Sequence, residues 1–483
     1  MSGKNTKEDL VGLLVGENYS SMAAAALRSR EAQRDHLLRH RRLPKTAWDE
    51  AQIKWFLNEL SLMDSNNFPG QVGAGEREGR ILCPLVAARH LGMAHGIGRS
   101  GDVAGIQPKA VGSSLANQLA NSLALHAIRL AGLHSAQAAF ILPSATGLAL
   151  LLCLLHFRTF RPKAVKVLWS RIDQKTCFKS MLAAGLEVVV IEPRLVGEQL
   201  ETDLEAFKRH LDEEADSILA VVSTTSCFAP RAPDDVQGLA RLCRQHDVPH
   251  LVNNAYGLQA SKITHELEQA SRGGRVDAFV QSTDKNFLIP VGGSVVAGPD
   301  KHRIAAIAKT YPGRASSVPT IDVLTTLLWL GEDGWLQLLR QRRAVFTSLK
   351  EGLARLAEAM PGLRLLRTPA NPISLALAFE PSFLEGKKVG ELGSALFHRR
   401  VSGARVWEVG SEKTVEGRCF TGWGSHSSAY PYSYLNLASA IGLTESEAQL
   451  LLTRLETLLR QFSKSNQLAE STTGNENVCD DEA

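Results

Sequence analysis

The chain has 483 residues, of which 44% are hydrophobic and 22% are charged, and its formal net charge at pH 7 is +4. This composition excludes a fibrous or largely disordered protein, and the net charge is lower than that expected of a dedicated DNA-duplex binder. The longest near-continuous apolar run, Gly147 to Phe157, is much shorter than the roughly 20 residues of a membrane span. The seven cysteines are scattered and form no CxxC pair, which predicts reduced thiols. The N-terminus has no apolar signal segment. Together with the net charge and the short apolar runs, these features predict a cytoplasmic protein with neither a membrane nor DNA as partner.

Residues 1–45 are predicted to form a helical, basic extension that ends near Pro44. Its second half is rich in basic side chains, namely Arg28, Arg30, Arg34, Arg39, Arg41, Arg42 and Lys45. This pattern favours a solvated or oligomer-forming helix and a nucleic-acid contact about equally. His36 and His40 have the i, i+4 spacing of a metal-binding pair, but no third ligand is evident, so we predict a surface or interface role and no metal site.

Residues 46–325 alternate short apolar strands with helical periodicity, which predicts βαβ units and a mostly parallel sheet covered on both faces. Gly293–Ala297 follows the preceding strand so closely that we predict an antiparallel strand there. The other predicted strands are Ala139–Leu142, Val165–Trp169, Glu187–Ile191, Ile218–Val222, His250–Asn253 and Ala278–Gln281. Predicted helices between them include Leu115–Leu130 and Asp235–His246.

Residues 326–464 are predicted to form a smaller C-terminal α+β domain. A long helical stretch begins at about residue 322 and is followed by strands at Leu363–Leu366 and Ile373–Phe379. A final helix is predicted from about Thr444 to Phe462. The acidic tail, residues 465–483, contains too few apolar residues to bury a core, so we predict that it is disordered.

Two segments of the larger domain have features of a cofactor site. A strand ends in small hydroxyl residues before an apolar helix begins at about Gly147, so the N–H groups of the first helical turn and the Thr146 hydroxyl could bind an anion. The alternative is that Ser144 or Thr146 only caps the helix. Lys285 follows a strand and precedes an apolar, glycine-containing segment that we expect to be buried. A lysine there either reaches solvent or reacts, because burial lowers a lysine pKa and favours Schiff-base chemistry.

A buried strand that ends in two amides, within HLVNNAYG, also predicts a binding site. Asn253 lies 32 residues before Lys285. Pyridoxal-phosphate (PLP) enzymes of the aspartate-aminotransferase fold have at this spacing an aspartate that contacts the pyridine nitrogen. An amide cannot hold that nitrogen protonated as an aspartate does, which predicts a weaker electron sink, suited to eliminating a good leaving group.

Two glycine-rich segments between residues 75 and 114, GEREGR and HGIGRSGDVAGIQPKAVGSS, carry the arginines Arg77, Arg80 and Arg99. Glycine lets backbone N–H groups approach an anion, and arginine binds phosphate bidentately, so these loops could bind phosphate. They are not a Walker motif, and the alternative is a set of simple tight turns. Arg314 lies in a similar small-residue loop, YPGRASSVPT.

Taken together, eleven motifs in order resemble the O-phosphoseryl-tRNA(Sec):selenocysteinyl-tRNA synthase family, also called the selenium transferases. The likeness extends from about Trp48 to about Phe462. The motifs are MDSNNFPG, GEREGR, HGIGRSGD, QPKAVGSSL, RIDQKTCFKS, STTSCFAPR, VNNAYG, DAFVQSTDKNF, YPGRAS, NPISLA and VSGARV.

The resemblance implies an α/β, fold-type-I PLP enzyme that forms a homotetramer, a dimer of dimers, with active sites at dimer interfaces. It implies that Lys285 carries PLP and that Arg77, from a neighbouring subunit, contacts the cofactor phosphate. The other implied cofactor contacts are Thr146, Gly147, Gln174 and Asn253. The implied contacts of the substrate phosphoryl group are Arg99, Ser100, Gln107 and Arg314, and those of the tRNA are Arg272, Arg399 and Lys464.

The implied reaction converts O-phosphoseryl-tRNA(Sec) to selenocysteinyl-tRNA(Sec), with selenophosphate as the selenium donor. Phosphate would leave by β-elimination with Lys285 as the base, and selenium would then add to Cβ. Two alternatives stay open. A PLP-dependent lyase or desulfurase acting on free amino acids would share the lysine site but would not depend on tRNA. A tRNA-binding scaffold that has lost its chemistry would purify as a colourless protein.

Overall fold

The structure is a computed structural model that describes residues 7–384 and 388–473, with side chains described between residues 10 and 463 outside that gap. The strands, in chain order, are β1 (Ala138–Leu142), β2 (Lys166–Ser170), β3 (Glu187–Ile191), β4 (Arg194–Val196), β5 (Gln199–Glu201), β6 (Ile218–Thr224), β7 (His250–Asn253), β8 (Ala278–Ser282), β9 (Ser294–Gly298), β10 (Leu363–Leu365), β11 (Ser374–Phe379), β12 (Arg405–Trp407), β13 (Glu412–Val415), β14 (Arg418–Thr421) and β15 (Ser433–Ala438). The helices are α1 (Lys7–Val15), α2 (Glu17–His40), α3 (Glu50–Leu62), α4 (Pro84–Arg89), α5 (Val111–Leu130), α6 (Thr146–Arg158), α7 (Lys175–Ala183), α8 (Leu204–Glu214), α9 (Val236–Gln245), α10 (Ser261–Gly273), α11 (Thr283–Phe287), α12 (Lys301–Ala308), α13 (Val318–Ala359), α14 (Pro381–Leu384), α15 (Val389–His398) and α16 (Glu445–Thr473).

The N-terminal segment is helical, as predicted, and α2 ends at His40. Arg34 of α2 forms a 2.8 Å ion pair with Glu59 of α3, and its guanidinium lies over the ring of Trp55. Contacts of Arg34 therefore hold the basic helix α2 against α3 of the larger domain. The rings of His36 and His40 pack 4.3 Å apart. Within the described residues, no group of three or more His, Cys, Asp and Glu side chains is arranged to hold a metal ion.

No helix in the described part of the chain is long and apolar enough to span a bilayer. The cysteines of this part are all free thiols, which agrees with the absence of a predicted disulfide framework. They are Cys83, Cys153, Cys177, Cys227, Cys243 and Cys419. Cys479 lies outside the described residues.

The larger domain is built on a sheet with the strand order β1-β9-β8-β7-β6-β2-β3. The strands from β8 to β3 in this order run parallel, whereas β9 runs antiparallel to both of its neighbours, β1 and β8. Every strand predicted for this domain is present within two residues of its predicted bounds. The mostly parallel sheet and its antiparallel strand are therefore confirmed.

Helices cover both faces of this sheet, and the polar side chains at the ends of its strands lie on one face or the other. Phe279 of β8 packs in a core with α5 and α13, whereas its neighbour Val280 packs in a core with α6 and α7. Asn253 of β7 is in register with Val280 of β8, and Ser282 lies two residues after Val280 on the same strand. Asn253 and Ser282 therefore share the face that α6 and α7 cover.

The smaller domain contains an antiparallel sheet in the order β10-β11-β15-β12, packed against α13, α15 and α16. Strands β10 and β11 confirm the two that were predicted here. Strands β12 and β15 and the hairpins β4-β5 and β13-β14 were not predicted. The large parallel-sheet domain and the smaller α+β domain nevertheless agree with the predicted architecture.

The long helix α13 joins the two domains and contains the predicted boundary at residue 325. Gly331 interrupts it with φ 60° and ψ −173°. A Cβ at this glycine would lie 2.7 Å from the carbonyl carbon of Thr46, so the positive φ and the close approach both require glycine. The N–H of Glu332 donates to the Pro44 carbonyl at 2.8 Å. The end of the N-terminal extension therefore packs into the break.

The last predicted helix corresponds to α16, which continues to Thr473, past the predicted start of the tail at residue 465. Residues 474–483 lie outside the described residues. Helix α16 contradicts the predicted disorder for residues 465–473, and the disorder of residues 474–483 stays a prediction.

Candidate active site

Lys285 lies in the short helix α11, directly after the buried strand β8. Its Nζ is 2.9 Å from Asp284 Oδ2 and donates to Ser282 Oγ at 3.3 Å. The lysine side chain is 46% exposed. The segment that follows was expected to be buried, and Phe287, Ile289 and residues 293–298 are buried, whereas Leu288 and Val291 are exposed. In the single chain, Lys285 therefore reaches solvent at the end of a buried strand, paired with a carboxylate that the sequence analysis had not considered.

A hydroxyl contact connects this lysine to the first turn of α6. Ser282 Oγ and Thr146 Oγ1 are 2.7 Å apart. The next residue, Gly147, packs so closely on α7 that an added Cβ would lie 2.4 Å from Thr176 Cγ2. The first backbone N–H groups of a helix have no partners within the helix and carry partial positive charge. The N-terminus of α6 is therefore a suitable anion site, within reach of the lysine-bearing strand.

Asn253 is buried at the end of β7, on the face covered by α6 and α7. Its Nδ2 donates to Cys177 Sγ at 2.9 Å, while its Oδ1 is buried and has no hydrogen-bond partner among the described residues. Cys177 Sγ lies 3.7 Å from Gln174 Oε1, and Gln174 Nε2 donates to the Ser226 carbonyl at 3.4 Å. Burial raises the pKa of the Cys177 thiol to about 12, so the sulfur is protonated at neutral pH.

The residues predicted to contact a cofactor thus converge on one site, with the exception of Arg77. Ser282 forms hydrogen bonds with both Lys285 and Thr146. Helix α6 packs on α7 at Gly147, and Cys177 connects α7 to Asn253 of β7. Cys177 lies within the motif RIDQKTCFKS and had no predicted role. Its position three residues after Gln174, one turn along the same helix face, is the signal that could have identified it.

A second site is a cavity of about 600 Å³ lined by residues 76–96 and 314–317. Arg77 and Arg314 both line it, and the Arg314 guanidinium donates to the His95 carbonyl. Burial, and then the nearby Arg77 charge, lower the pKa of Arg314. Arg314 Nε is buried without a partner among the described residues. Glu78, which also lines the cavity, is paired with Lys109 at 2.6 Å. Two neighbouring guanidinium groups with unused donors make this cavity suitable for a multiply charged anion.

Backbone pairing joins the HGIGRSGD loop to the Arg314 loop. The Ile97 N–H donates to the Ala315 carbonyl at 2.9 Å, and the reverse bond is 3.2 Å. Arg99 begins a tight turn that places its own side chain and that of Ser100 on the surface rather than in the lining of the cavity. Gln107 lies further along the loop, where its N–H donates to Ser114 Oγ at 3.0 Å. In one chain, Arg77 and Arg314 are thus brought together, while Arg99, Ser100 and Gln107 lie on the adjoining loop.

The residues predicted to contact tRNA lie in both domains. Arg272 on α10 is 63% exposed and forms a 2.6 Å ion pair with Glu268. Arg399 follows α15 and donates to Gln461 Oε1 of α16 at 2.6 Å. The side chain of Lys464 lies outside the described residues. The tRNA contacts stay predictions.

Comparison with known proteins gives a consistent result. The family model described as "O-phosphoseryl-tRNA(Sec) selenium transferase, SepSecS" matches residues 63–460. The chain is 43% identical over 473 residues to the O-phosphoseryl-tRNA(Sec) selenium transferase of Dictyostelium discoideum, covering 94% of this chain and 98% of that relative. It is 43% identical over 425 residues to the Caenorhabditis elegans enzyme of the same name, covering 87% and 88%.

Solved structures confirm the predicted fold class. An archaeal O-phosphoseryl-tRNA(Sec) selenium transferase superposes with a TM-score of 0.85 at 28% identity, covering 95% of this chain and 100% of that chain. The Lactobacillus brevis glutamate decarboxylase superposes with a TM-score of 0.56 at 14% identity, covering 82% and 96%, and shows likeness of fold alone. The chain therefore has the fold-type-I architecture that the sequence predicted.

Proposed function

The chain belongs to the O-phosphoseryl-tRNA(Sec) selenium transferase family, and on that premise we propose that it converts O-phosphoseryl-tRNA(Sec) to selenocysteinyl-tRNA(Sec). PLP is the proposed cofactor, and selenophosphate is the proposed selenium donor. The observation that carries the proposal is the hydrogen-bonded link from Lys285 through Ser282 to Thr146. It connects an accessible amine to a helix N-terminus, the two features that a phosphorylated aldehyde requires.

The residues at the ends of β7 and β8 fit PLP. The α6 N-terminus offers N–H groups to a phosphate, and Gly147 leaves no side chain between α6 and α7. Lys285 offers the amine for covalent attachment. The buried Asn253 Oδ1 needs a donor, which a protonated ring nitrogen could supply. Thr146 and Gln174 complete the proposed contacts within one chain, and Arg77 is proposed to reach the cofactor phosphate of a neighbouring subunit.

Bound PLP supplies an electron sink for the negative charge that develops at Cα of the substrate seryl group. Lys285 Nζ, freed when the substrate α-amine takes its place on PLP, is the proposed base that takes the Cα proton. Asp284 Oδ2, at 2.9 Å, stabilises the resulting ammonium, and Ser282 Oγ orients it. The phosphate then leaves Cβ with the electron pair of the Cβ–O bond. Selenophosphate then adds to Cβ through its selenium, and the lysine ammonium returns a proton to Cα. Transfer of the phosphoryl group from selenium to water releases phosphate and leaves the selenol.

The arginine cavity and the adjoining loop are proposed to bind the substrate phosphoryl group. Arg314 carries an unused buried donor, and Arg99, Ser100 and Gln107 lie on the loop paired with it. Preorganised cations stabilise the charge that grows on a leaving phosphate. A seryl group without phosphate would leave these cations unpaired, so the same residues would reject unphosphorylated substrate.

We extend the proposal to a cytoplasmic homotetramer, a dimer of dimers, that binds the tRNA through Arg272, Arg399 and Lys464. The chain exposes several large apolar side chains in two regions, which supports contacts between subunits. Leu13 and Leu14 on α1 are 78% and 87% exposed, and Leu82 and Leu85 near α4 are 100% and 81% exposed.

The decisive experiment measures inorganic phosphate released from O-phosphoseryl-tRNA(Sec) and, in parallel, from free O-phosphoserine. Release from the tRNA ester alone supports a tRNA-dependent elimination. Equal release from both would favour the small-molecule lyase, and no release from either would favour the scaffold. Lys285→Ala is the control variant: it should abolish release while tRNA binding persists, and retained release would refute the lysine assignment.

A further inference from the structure

The hydrogen bonds around Asn253 have a direction that is fixed from one end. The Ser226 carbonyl can only accept, so the Gln174 group that faces it, at 3.4 Å, is the amide nitrogen. The Gln174 oxygen therefore faces Cys177 Sγ at 3.7 Å and can only accept the thiol proton. The sulfur, having donated to Gln174, accepts from Asn253 Nδ2 at 2.9 Å.

In this order of donors and acceptors, the Asn253 side-chain oxygen has no hydrogen-bond partner among the described residues. Asn253 is 1% exposed. If the Asn253 amide were turned over, its oxygen would face a sulfur whose proton is already given to Gln174, and two acceptors would meet. A neutral asparagine is thereby held in one of its two orientations by a neutral thiol.

We propose that Cys177 is a positioning residue that holds the Asn253 amide with its oxygen towards the cofactor ring, so that the ring nitrogen is kept protonated. The proposal rests on the proposed PLP site. A neutral pyridine nitrogen carries a lone pair, which would face the lone pairs of Oδ1, whereas a protonated nitrogen donates to it. The sequence alone predicted that an amide cannot hold this nitrogen protonated as an aspartate does. The geometry assigns that task to the amide oxygen, acting through a hydrogen bond rather than through the charge of an aspartate.

The test is nitrogen NMR of the full-length protein reconstituted with PLP that carries 15N in the ring. The wild-type resonance is expected at the position of a protonated pyridine at neutral pH. Cys177→Ala and Cys177→Val remove both sulfur hydrogen bonds, so the Asn253 amide can turn and donate. Their resonance should move towards that of unprotonated pyridine. The valine variant leaves no cavity in place of the thiol and covers the case in which the alanine variant does not fold.

Three further variants separate positioning from packing. Cys177→Ser keeps a group that both donates and accepts, so it should retain the wild-type resonance. Cys153→Ala removes another buried thiol of the same core, one that does not contact Asn253, and should leave the resonance unchanged. Asn253→Asp presents only acceptors, so its ring nitrogen should stay protonated even when Cys177 is replaced.

The outcomes distinguish this proposal from the proposed function. Covalent attachment of PLP to Lys285 is measured separately, by visible absorbance and by the mass of the borohydride-reduced protein. Failure to attach would refute the proposed function and this proposal with it. Attachment with an unprotonated ring nitrogen in the wild type, or with a protonated one in both Cys177→Ala and Cys177→Val, would refute only the role assigned to Cys177.

Discussion

Asp234 is the central acceptor of a buried polar network beside the candidate site. Its Oδ1 accepts hydrogen bonds from Ser170 at 2.6 Å, Thr202 at 2.8 Å and Arg231 at 2.8 Å, and its Oδ2 accepts from the Thr224 N–H at 2.7 Å. Both side chains of the Asp234–Arg231 ion pair are 1% exposed. The network therefore fixes the end of β6 and the loop that follows this strand and leads into the candidate site.

We predict that Asp234→Asn lowers the free energy of unfolding by about 3–5 kcal/mol, the usual effect of removing one partner of a buried ion pair. The Arg231 guanidinium would lose its neutralising charge. Part of this loss, about 1–3 kcal/mol, arises because the new amide nitrogen must face a group that donates. At about 2–4 °C per kcal/mol for a large domain, the thermal midpoint should fall by roughly 10 °C.

The assay is thermal unfolding followed by circular dichroism, with Asp212→Asn as the matched control. Asp212 pairs with Lys208 at 2.7 Å and lies 3.2 Å from His246, but its own side chain is 42% exposed and that of Lys208 is 47% exposed. Solvent screens such a pair, so its loss should produce no resolvable shift. A midpoint for Asp234→Asn within about 2 °C of the wild type, or no lower than that of Asp212→Asn, would refute the argument from burial.

Three other predictions test separate parts of the molecule. Arg99→Ala should raise the O-phosphoseryl-tRNA(Sec) concentration for half-maximal phosphate release by roughly 10-fold to 100-fold, the loss of one charge-assisted hydrogen bond, with PLP absorbance unchanged; loss of PLP would instead place Arg99 at the cofactor. Gly147→Ala should cost about 1–3 kcal/mol in urea unfolding because its Cβ would lie 2.4 Å from Thr176 Cγ2. In the Gly147→Ala background, Thr176→Ser should restore that stability. Gly390→Ala should cost nothing, because a Cβ there meets nothing within 4 Å. Equal effects of the two glycine substitutions would contradict this prediction. Burial lowers the pKa of His250 to about 4 from an ordinary 6.5, so only the unfolded chain binds this proton as the pH falls from 6.5 to 4, and stability is lost over that range. His250→Asn should lose less stability over the same range, and an unchanged slope would rule out His250 as the cause.

The sequence predicted the strands of the larger domain because they are apolar, short and separated by helices. It did not predict β12, which has three residues, or β13, in which three of four residues are exposed, because neither carries a clear pattern of burial. The contacts of the site were also beyond the sequence. Asn253 and Cys177 are 76 residues apart, and Thr146 and Ser282 are 136 apart. The packing of α6 and α7 on the sheet brings these pairs together, and no local motif encodes which atom faces which.

The segment after Lys285 is largely buried, as its composition predicted, and two of its apolar residues are exceptions. Its apolar residues indicated burial, yet Leu288 and Val291 are 49% and 79% exposed. Large apolar side chains exposed beside a reactive amine mark an interaction surface. In the proposed homotetramer, a neighbouring subunit that brings Arg77 to the cofactor would cover these side chains and remove water from Lys285. The composition of the segment therefore corresponds to the burial of an assembled site, to which the single chain contributes one side.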